Sequence, residues 1–207
     1  NLATQLGNDT KVLTLIIGKK VQPFAQTLIE HGSDEVILVE NDKLEEYLVL
    51  PFSSIFEQVI KERKPEIALF AATTSGRELA PRIGMKTDSG VTADCTGLEI
   101  GEYVDRKEKV IYKPILESRR PTYGESKLAT ILGFVCPQIS TARAGTFEVP
   151  KRVEGRQGIV SGFNPVLNDK DFVVIDVTIT GVDKPQNNID EDVENELSDE
   201  IWDKFIN

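Results

Sequence analysis

The feature of this sequence that most constrains its fold is the alternation of short apolar runs with segments of helical spacing. Residues 11–17 form a β-rich apolar run, and residues 21–30 then place apolar side chains three and four positions apart, as on one face of a helix. Residues 35–39 form a second run, residues 44–63 a second helical segment, and residues 67–71 a third run. Strands and helices that alternate in this way favour a parallel sheet covered by helices.

Beyond Gly97 the pattern changes to shorter segments in which apolar and polar residues alternate. Four such segments are predicted to be strands, several of them antiparallel: 98–104, 110–116, 128–134 and 172–180. We therefore predict an α/β fold. It combines a Rossmann-like, mostly parallel sheet that has helices on both faces with a β-rich, partly antiparallel second half.

The chain is predicted to form one large domain followed by an acidic tail. Residues 1–184 hold all the predicted strands and helices of that domain. Residues 190–203 contain eight acidic side chains, and the apolar residues among them are spaced near the helical period. We therefore predict that residues 185–207 form an acidic linker or an amphipathic helix.

Charge and composition exclude several classes of function. The formal net charge of −10 would repel a phosphate backbone, so we expect no nucleic-acid partner. The longest apolar runs are far shorter than the roughly 18 residues that cross a bilayer, and no secretory signal is visible, so we expect no membrane span. The chain has two cysteines, Cys95 and Cys136, about forty positions apart, and this pattern is typical of reduced thiols rather than of a disulfide framework. It predicts a cytoplasmic location. His31 is the single histidine, so a usual zinc site is not expected.

A polar turn follows the predicted strand at 67–71 and is a candidate ligand site. Residues 73–76 read Thr-Thr-Ser-Gly and lead into a predicted helix capped by Thr74 or Ser75. Ligands of open α/β sheets usually bind beyond the carboxyl ends of such strands, where helix N-termini also point. The turn therefore leaves a nucleotide site open as one hypothesis.

Four motifs carry a resemblance to a known family. They read GRELAPR at residues 76–82, GVTADCTGL at 90–98, RPTYG at 120–124 and PQISTAR at 137–143. In this order and spacing they resemble the alpha subunit of electron transfer flavoproteins. The resemblance covers roughly residues 11–148 and is densest from residue 67 onward.

The resemblance implies a heterodimer with an electron transfer flavoprotein beta subunit that carries electrons through FAD. Dehydrogenases would be the electron donors or acceptors. The first domain of the family's alpha subunit packs on the beta subunit, whereas its second domain makes most contacts to FAD. We therefore expect this chain to be an electron-transfer protein rather than an enzyme with catalytic residues of its own, and to bind FAD weakly or not at all when alone.

Family members usually carry one further strand and helix before the position of Leu13, and a glycine-rich nucleotide-binding domain at the end. Neither feature is visible in this sequence, so the first strand and helix and the FAD domain are expected to be missing. The motifs also depart from the family pattern. Glu125 stands where a second glycine is usual, and Ala144 stands where a proline is usual.

Arg120 of the RPTYG motif is the strongest candidate for a cofactor contact. In family members that hold a second FAD at the subunit junction, the matching arginine lies near the flavin ring, where a fixed cation favours the reduced anion. A guanidinium suits this role because it stays charged and donates in a planar fork. An ion pair with a neighbouring carboxylate is the alternative. Arg143 of the PQISTAR motif is a second candidate for the same cofactor.

Thr92, Asp94 and Cys95 form a small polar cluster that is predicted to lie in a turn facing the flavin. Packing between the two halves of the domain is the alternative. Arg77 and Arg82 flank the helix after residue 73 and would bind a phosphate, hold the beta subunit or form salt bridges. Both thiols are expected to be inert and buried, because no histidine lies near them in sequence.

Two further functions stay open beside the electron carrier. The polar turn at 73–76 would suit an adenine-nucleotide-binding protein, although only the general architecture supports that hypothesis. The acidic tail would suit an interaction scaffold without catalysis.

Overall fold

The computed structural model describes residues 2–7, 9–122, 124 and 127–173. Four helices are present in this part of the chain: α1 (Leu2–Leu6), α2 (Ala25–Glu30), α3 (Val49–Arg63) and α4 (Thr74–Lys86). Nine strands accompany them: β1 (Leu13–Gly18), β2 (Glu35–Glu40), β3 (Ile67–Ala71), β4 (Val91–Cys95), β5 (Gly97–Asp105), β6 (Val110–Thr122), β7 (Lys127–Leu132), β8 (Gln138–Ala142) and β9 (Ile159–Gly162).

The strands form three sheets of three strands each. Two sheets are parallel, in the orders β1-β2-β9 and β3-β8-β4, and the third is antiparallel, in the order β5-β6-β7. The α/β class with a partly antiparallel second half is therefore confirmed. In both parallel sheets the central strand is the most buried, because it has a neighbour on each side.

Helices cover both faces of β2. Ile37 and Val39 point to one face, where they pack with Ile55 and Val59 of α3. The alternate residues of the strand, Val36 and Leu38, pack on the other face in a cluster with Ala25 and Ile29 of α2. This alternation follows from the two-residue period of a strand. It explains why residues 36–39 are all apolar.

Helix α4 is held tightly against the end of β3. Its cap is Thr73, whose Oγ1 accepts a hydrogen bond from the Gly76 amide at 3.2 Å. A Cβ at Gly76 would lie 1.9 Å from the Ala71 carbonyl oxygen, so only glycine fits this close approach. The prediction of Thr74 or Ser75 as the cap was wrong by one or two residues.

A slot separates β1 of the first parallel sheet from β3 of the second. Within the described residues, β1 pairs only with β2 and β3 only with β8, so each strand leaves its other edge without a partner. Both edges line a cavity of about 730 Å³ whose base is formed by Phe56 and Val59 of α3. The slot also explains why Leu69, in the middle of β3, is 46% exposed.

The structure corrects several predictions. Strands β4, β8 and β9 were not predicted, and the residues of β4 had been assigned to a turn. The helical segment at 44–63 begins only at Val49, after a short 3-10 helix at Asp42–Leu44. Cys136 is exposed rather than buried, because it follows the end of β7 in an irregular segment. Most of the predicted strand at 172–180, and all of the predicted tail at 185–207, lie outside the described residues.

Candidate functional site

Three parallel strands bring polar residues together at one edge of the β3-β8-β4 sheet. Arg77 follows the carboxyl end of β3, Asp94 lies near the end of β4, and Arg143 directly follows β8. The carboxyl ends of parallel strands meet at one edge of a sheet, which is where open α/β sheets usually bind ligands. Arg120 lies on β6 of the antiparallel sheet, next to Arg119, whose carbonyl accepts a hydrogen bond from the Thr96 amide just beyond β4. Its charge acts on both Asp94 and Cys95. We call Arg77, Arg120 and Arg143 the arginine cluster.

Asp94 occupies an irregular point of its strand. The register between β4 and β8 shifts between Thr92 and Cys95, and Asp94 adopts a φ of 61°, in the left-handed region. Residues other than glycine are uncommon there, although aspartate and asparagine tolerate it best. The Asp94 amide donates to Oγ1 of Thr141 at 2.8 Å, and this bond ties the bulge to β8.

The carboxylate of Asp94 pairs with two of the three arginines. Arg143 donates from Nε to Oδ1 at 3.2 Å and from Nη2 to Oδ2 at 2.7 Å, and the two bonds form a bidentate ion pair. Arg77 donates from Nη2 to Oδ1 at 3.0 Å and also from Nε to the Ala72 carbonyl at 2.9 Å. The hydrogen bond from Arg143 holds the pKa of Asp94 below its usual 3.8, and the charges of Arg143, Arg77 and Arg120 act in the same direction.

Arg120 differs from the other two arginines. Its Nε is buried and has no hydrogen-bond partner in the described part of the chain. No carboxylate among the described residues lies within ion-pair distance of its guanidinium. The charge of Arg120 nevertheless contributes to lowering the pKa of Asp94. The alternative of a structural ion pair for Arg120 is therefore not found among these residues. A buried donor without an acceptor is unfavourable, and the half-buried Arg120 side chain is the member of the cluster that no described carboxylate engages.

Cys95 and Thr92 lie behind the arginine cluster. Cys95 is fully buried, its thiol donates to the Thr92 carbonyl at 3.5 Å, and burial raises its pKa above the usual 9.0. Thr92 is also buried, on β4 rather than in a turn. The expectation that the thiol is buried is confirmed for Cys95. Neither side chain presents enough surface to touch a cofactor, so any contribution from these two residues has to come through their main chain.

Hydrogen bonds between strands fix the positions of the arginines. The Thr96 amide donates to the Arg119 carbonyl at 2.8 Å, and the Arg143 amide donates to the Cys95 carbonyl at 2.8 Å. Behind them the hydroxyls of Ser118 and Ser140 lie 2.7 Å apart in a buried contact between β6 and β8. The motifs at 90–98 and 137–143 thus converge with β6 at one place.

The arginine cluster forms a cationic site on an acidic protein. Among the described residues, three guanidinium groups surround one carboxylate at this edge, whereas the whole chain carries −10. Such an arrangement is suited to an anion, or to negative charge that develops on a bound group. Arg82 lies outside the cluster, on the exposed side of α4.

The part of the chain that the structure describes contains no group of histidine, cysteine and acidic side chains arranged to hold a metal ion. Among the same residues, no helix is long and apolar enough to span a membrane.

Comparisons with known proteins find relatives over most of the chain. A family model described as the electron transfer flavoprotein domain matches residues 1–166. The electron transfer flavoprotein subunit alpha of Thermoanaerobacterium thermosaccharolyticum is 36% identical over 162 residues, which are 76% of this chain and 45% of that protein. The subunit alpha of Megasphaera elsdenii is 32% identical over 176 residues, covering 83% of this chain and 48% of the relative.

A third relative is named for a different enzyme system. The subunit LctC of the lactate dehydrogenase (NAD(+),ferredoxin) of Acetobacterium woodii is 32% identical over 160 residues, covering 77% of this chain and 35% of that subunit. The chain thus spans about half, or less, of the length of the relatives it matches. Because the family model covers most of its residues, the chain belongs to the electron transfer flavoprotein family.

Proposed function

We propose that this chain is the base of an electron-carrier subunit, which packs on an electron transfer flavoprotein beta subunit and lies beside FAD. The single observation that carries this proposal is the buried Nε of Arg120, which has no acceptor in the described part of the chain. The sequence motif of Arg120 and the geometry around it therefore point to the same residue. When bound, FAD supplies the electron-accepting group, and the chain supplies a fixed positive charge beside it.

The residues of the site divide into groups with different roles in this proposal. Arg120 would face the flavin ring and favour its reduced, anionic form. Arg143 and Asp94 would shape the wall beside it, since their side chains already bind each other at 2.7 Å. Thr92 and Cys95 would form the floor under the site. In this proposal the protein moves no proton and forms no covalent bond, because its contribution is position and charge.

The proposed partners follow from the names of the relatives. Several matching proteins are subunits alpha, which supports a second, beta subunit for this chain as well. Two others are named as subunits of a lactate dehydrogenase and of an acryloyl-CoA reductase. These names support dehydrogenases as the electron donors or acceptors. A cytoplasmic location fits the two unpaired thiols, one of which is exposed.

Co-purification with a beta subunit tests the proposal. The chain is co-expressed with the beta subunit of a close relative, isolated by a tag on the chain, and its visible spectrum is recorded. We expect a stable complex that carries flavin absorbance, and a colourless product when the chain is purified alone. Failure of the two chains to associate would refute the proposal.

Matched variants separate the contribution of Arg120 from a general charge effect. Arg120→Met should keep the complex but lose much of the flavin absorbance, because the cation facing the ring is gone. Arg82→Met removes the same charge from an exposed position outside the arginine cluster and should leave the spectrum unchanged. Equal flavin content in the two variants would mean that Arg120 does not contact the cofactor.

The nucleotide-binding hypothesis receives less support from the structure. The Gly76 amide at the start of α4 already donates to Thr73, and Gly76 packs against the Ala71 carbonyl. The Gly76 amide in the first turn is therefore already hydrogen-bonded, and Gly76 packs against the end of β3. Calorimetric titration of the chain with AMP and with ATP tests this hypothesis. No heat of binding for either nucleotide would eliminate it.

The slot between β1 and β3 is comparable in size to one additional strand. A strand of five residues is about 16 Å long, 4.8 Å wide and, with its side chains, 10 Å deep, which amounts to roughly 800 Å³. The cavity of about 730 Å³ is close to that size. We propose that a strand in this slot would join the two parallel sheets into one.

A further inference from the structure

The three members of the arginine cluster are not equivalent as binding groups. Arg143 directs two of its nitrogen atoms at Asp94, and Arg77 divides its donors between Asp94 and the Ala72 carbonyl. Arg120 has no such bond within the described residues. A ligand that approaches this edge therefore meets one uncommitted guanidinium and two that a carboxylate already engages.

The position of Asp94 is enforced by the fold rather than by local preference. The left-handed backbone conformation at this residue, φ 61°, is sparsely populated by residues other than glycine. The hydrogen bond from its amide to Thr141 and the bulge between Thr92 and Cys95 hold the backbone in place. Strain of this kind persists where the surroundings over-determine it, and it is concentrated at functional sites.

The charge balance indicates which anions the edge accepts. A phosphate group carries nearly two negative charges at neutral pH and is bound in proteins by several free guanidinium or amide donors. Here the donors of Arg77 and Arg143 are directed at Asp94, whose carboxylate would repel a dianion. A single negative charge spread over a ring needs only one nearby cation and suffers less repulsion.

We propose that Asp94 determines the specificity of the arginine cluster, by engaging Arg77 and Arg143 so that the edge accepts one delocalised negative charge and rejects phosphate dianions. This inference rests on the proposed function for the identity of the preferred anion, the ring of a reduced flavin. Its exclusion of phosphate rests on the geometry alone. Asp94 is thus a positioning residue that selects the ligand through two arginines and need not touch it.

Phosphate binding to the isolated 207-residue chain tests the inference. Inorganic phosphate is titrated into the parent chain, Asp94→Asn and Asp94→Gly, and binding is followed by calorimetry. Both variants tolerate the left-handed backbone, so the fold is expected to survive, and circular dichroism verifies this. We expect each variant to bind phosphate at least tenfold more tightly than the parent, because the carboxylate that engages Arg77 and repels a dianion is gone.

Asp88 offers a closely matched control. It is also an aspartate in the left-handed conformation, with a φ of 51°, but it is exposed and has no ion pair within the described part of the chain. Asp88→Asn should bind phosphate as weakly as the parent does, and Asp94→Glu should restore most of the parent's behaviour. Equal phosphate affinity in Asp94→Asn and the parent would overturn the inference, as would an equal gain in Asp88→Asn.

A second titration keeps this inference separate from the proposed function. Reduced lumiflavin, which has the flavin ring but no phosphate, is titrated anaerobically into the same chains. A gain in phosphate binding by Asp94→Asn, together with no lumiflavin binding by the parent, would retain the exclusion of phosphate and refute the flavin site. The opposite result, with lumiflavin bound and phosphate unchanged, would refute the role of Asp94 and leave the flavin site standing.

Discussion

The arginine cluster and the slot between β1 and β3 differ in which chemical groups lack a hydrogen-bond partner among the described residues. At the cluster the strands are joined by backbone hydrogen bonds, and the group without a partner among the described residues is the Nε of Arg120. At the slot the side chains are mostly apolar, and in the described part of the chain one edge each of β1 and β3 has no neighbouring strand. One domain therefore offers two different kinds of contact, one electrostatic and one through the backbone.

The two regions should respond differently to salt. Charge attraction at an exposed edge weakens as ions screen it, over a distance of about 8 Å at physiological ionic strength. Main-chain hydrogen bonding and apolar burial in a slot are screened much less.

Gly76→Ala should have the largest effect, since Gly76 lies between the two regions. The added Cβ would stand 1.9 Å from the Ala71 carbonyl oxygen, so α4 must shift away from β3, which lines the slot, and must carry Arg77 with it. We expect the free energy of unfolding to fall by about 3 kcal/mol, measured by urea denaturation. Gly90→Ala is the control, because a Cβ there meets nothing within 4 Å. Similar losses in the two variants would contradict the close approach of α4 to β3.

A strand peptide should stabilise the chain nearly as strongly. The probe is a peptide with five consecutive valine or isoleucine residues between flanking lysines, and its control has a proline at the centre, which removes a main-chain donor. At one hundred times its dissociation constant, such a ligand stabilises the native state by about 2.7 kcal/mol. Amide exchange should slow on both β1 and β3, and 1 M salt should not weaken the effect. Protection of only one strand, or equal binding of the proline peptide, would contradict strand insertion.

Asp94→Asn should have a smaller effect on stability, and one that depends on pH. The lowered pKa of Asp94 means that its charged form stabilises the fold fully above the unfolded value of 3.8. This contribution is lost as the pH falls through the folded value. We expect a loss of about 1.5 kcal/mol at neutral pH that shrinks below pH 3.8, measured by denaturation at several pH values. A difference that stays constant down to the lowest pH would show that the carboxylate charge is not responsible.

Much of the fold could be predicted from local patterns. The apolar residues of β2 and the helical spacing in α3 reflect burial within single elements, so their types and approximate positions were predicted correctly. Strands β4 and β8 were missed, since both carry polar residues whose partners are distant in sequence. Ser140 on β8 meets Ser118 across the sheet, and Thr141 receives the Asp94 amide. Nothing local to either strand signals that these hydroxyl groups are satisfied.

The site was predicted only in part for the same reason. Arg120 and Arg143 could be selected from their motifs, whereas the ion pairs of Asp94 join residues 17 and 49 positions apart. Those pairs form because β8 lies between β3 and β4, an order that the sequence pattern does not contain. Cys95 was selected for its place in a motif, and its burial became visible only once β4 was known to be a strand.

The most direct test of the central claim is a redox titration of the flavin in the complex of this chain with its beta subunit. If Arg120 lies beside the ring and favours the reduced anion, Arg120→Met should lower the one-electron midpoint potential by about 60 mV or more, which corresponds to a tenfold change in equilibrium. Arg120→Lys should lower it by less, and Arg82→Met should leave it unchanged. An unchanged potential in Arg120→Met would contradict the claim that the arginine cluster lies beside the cofactor.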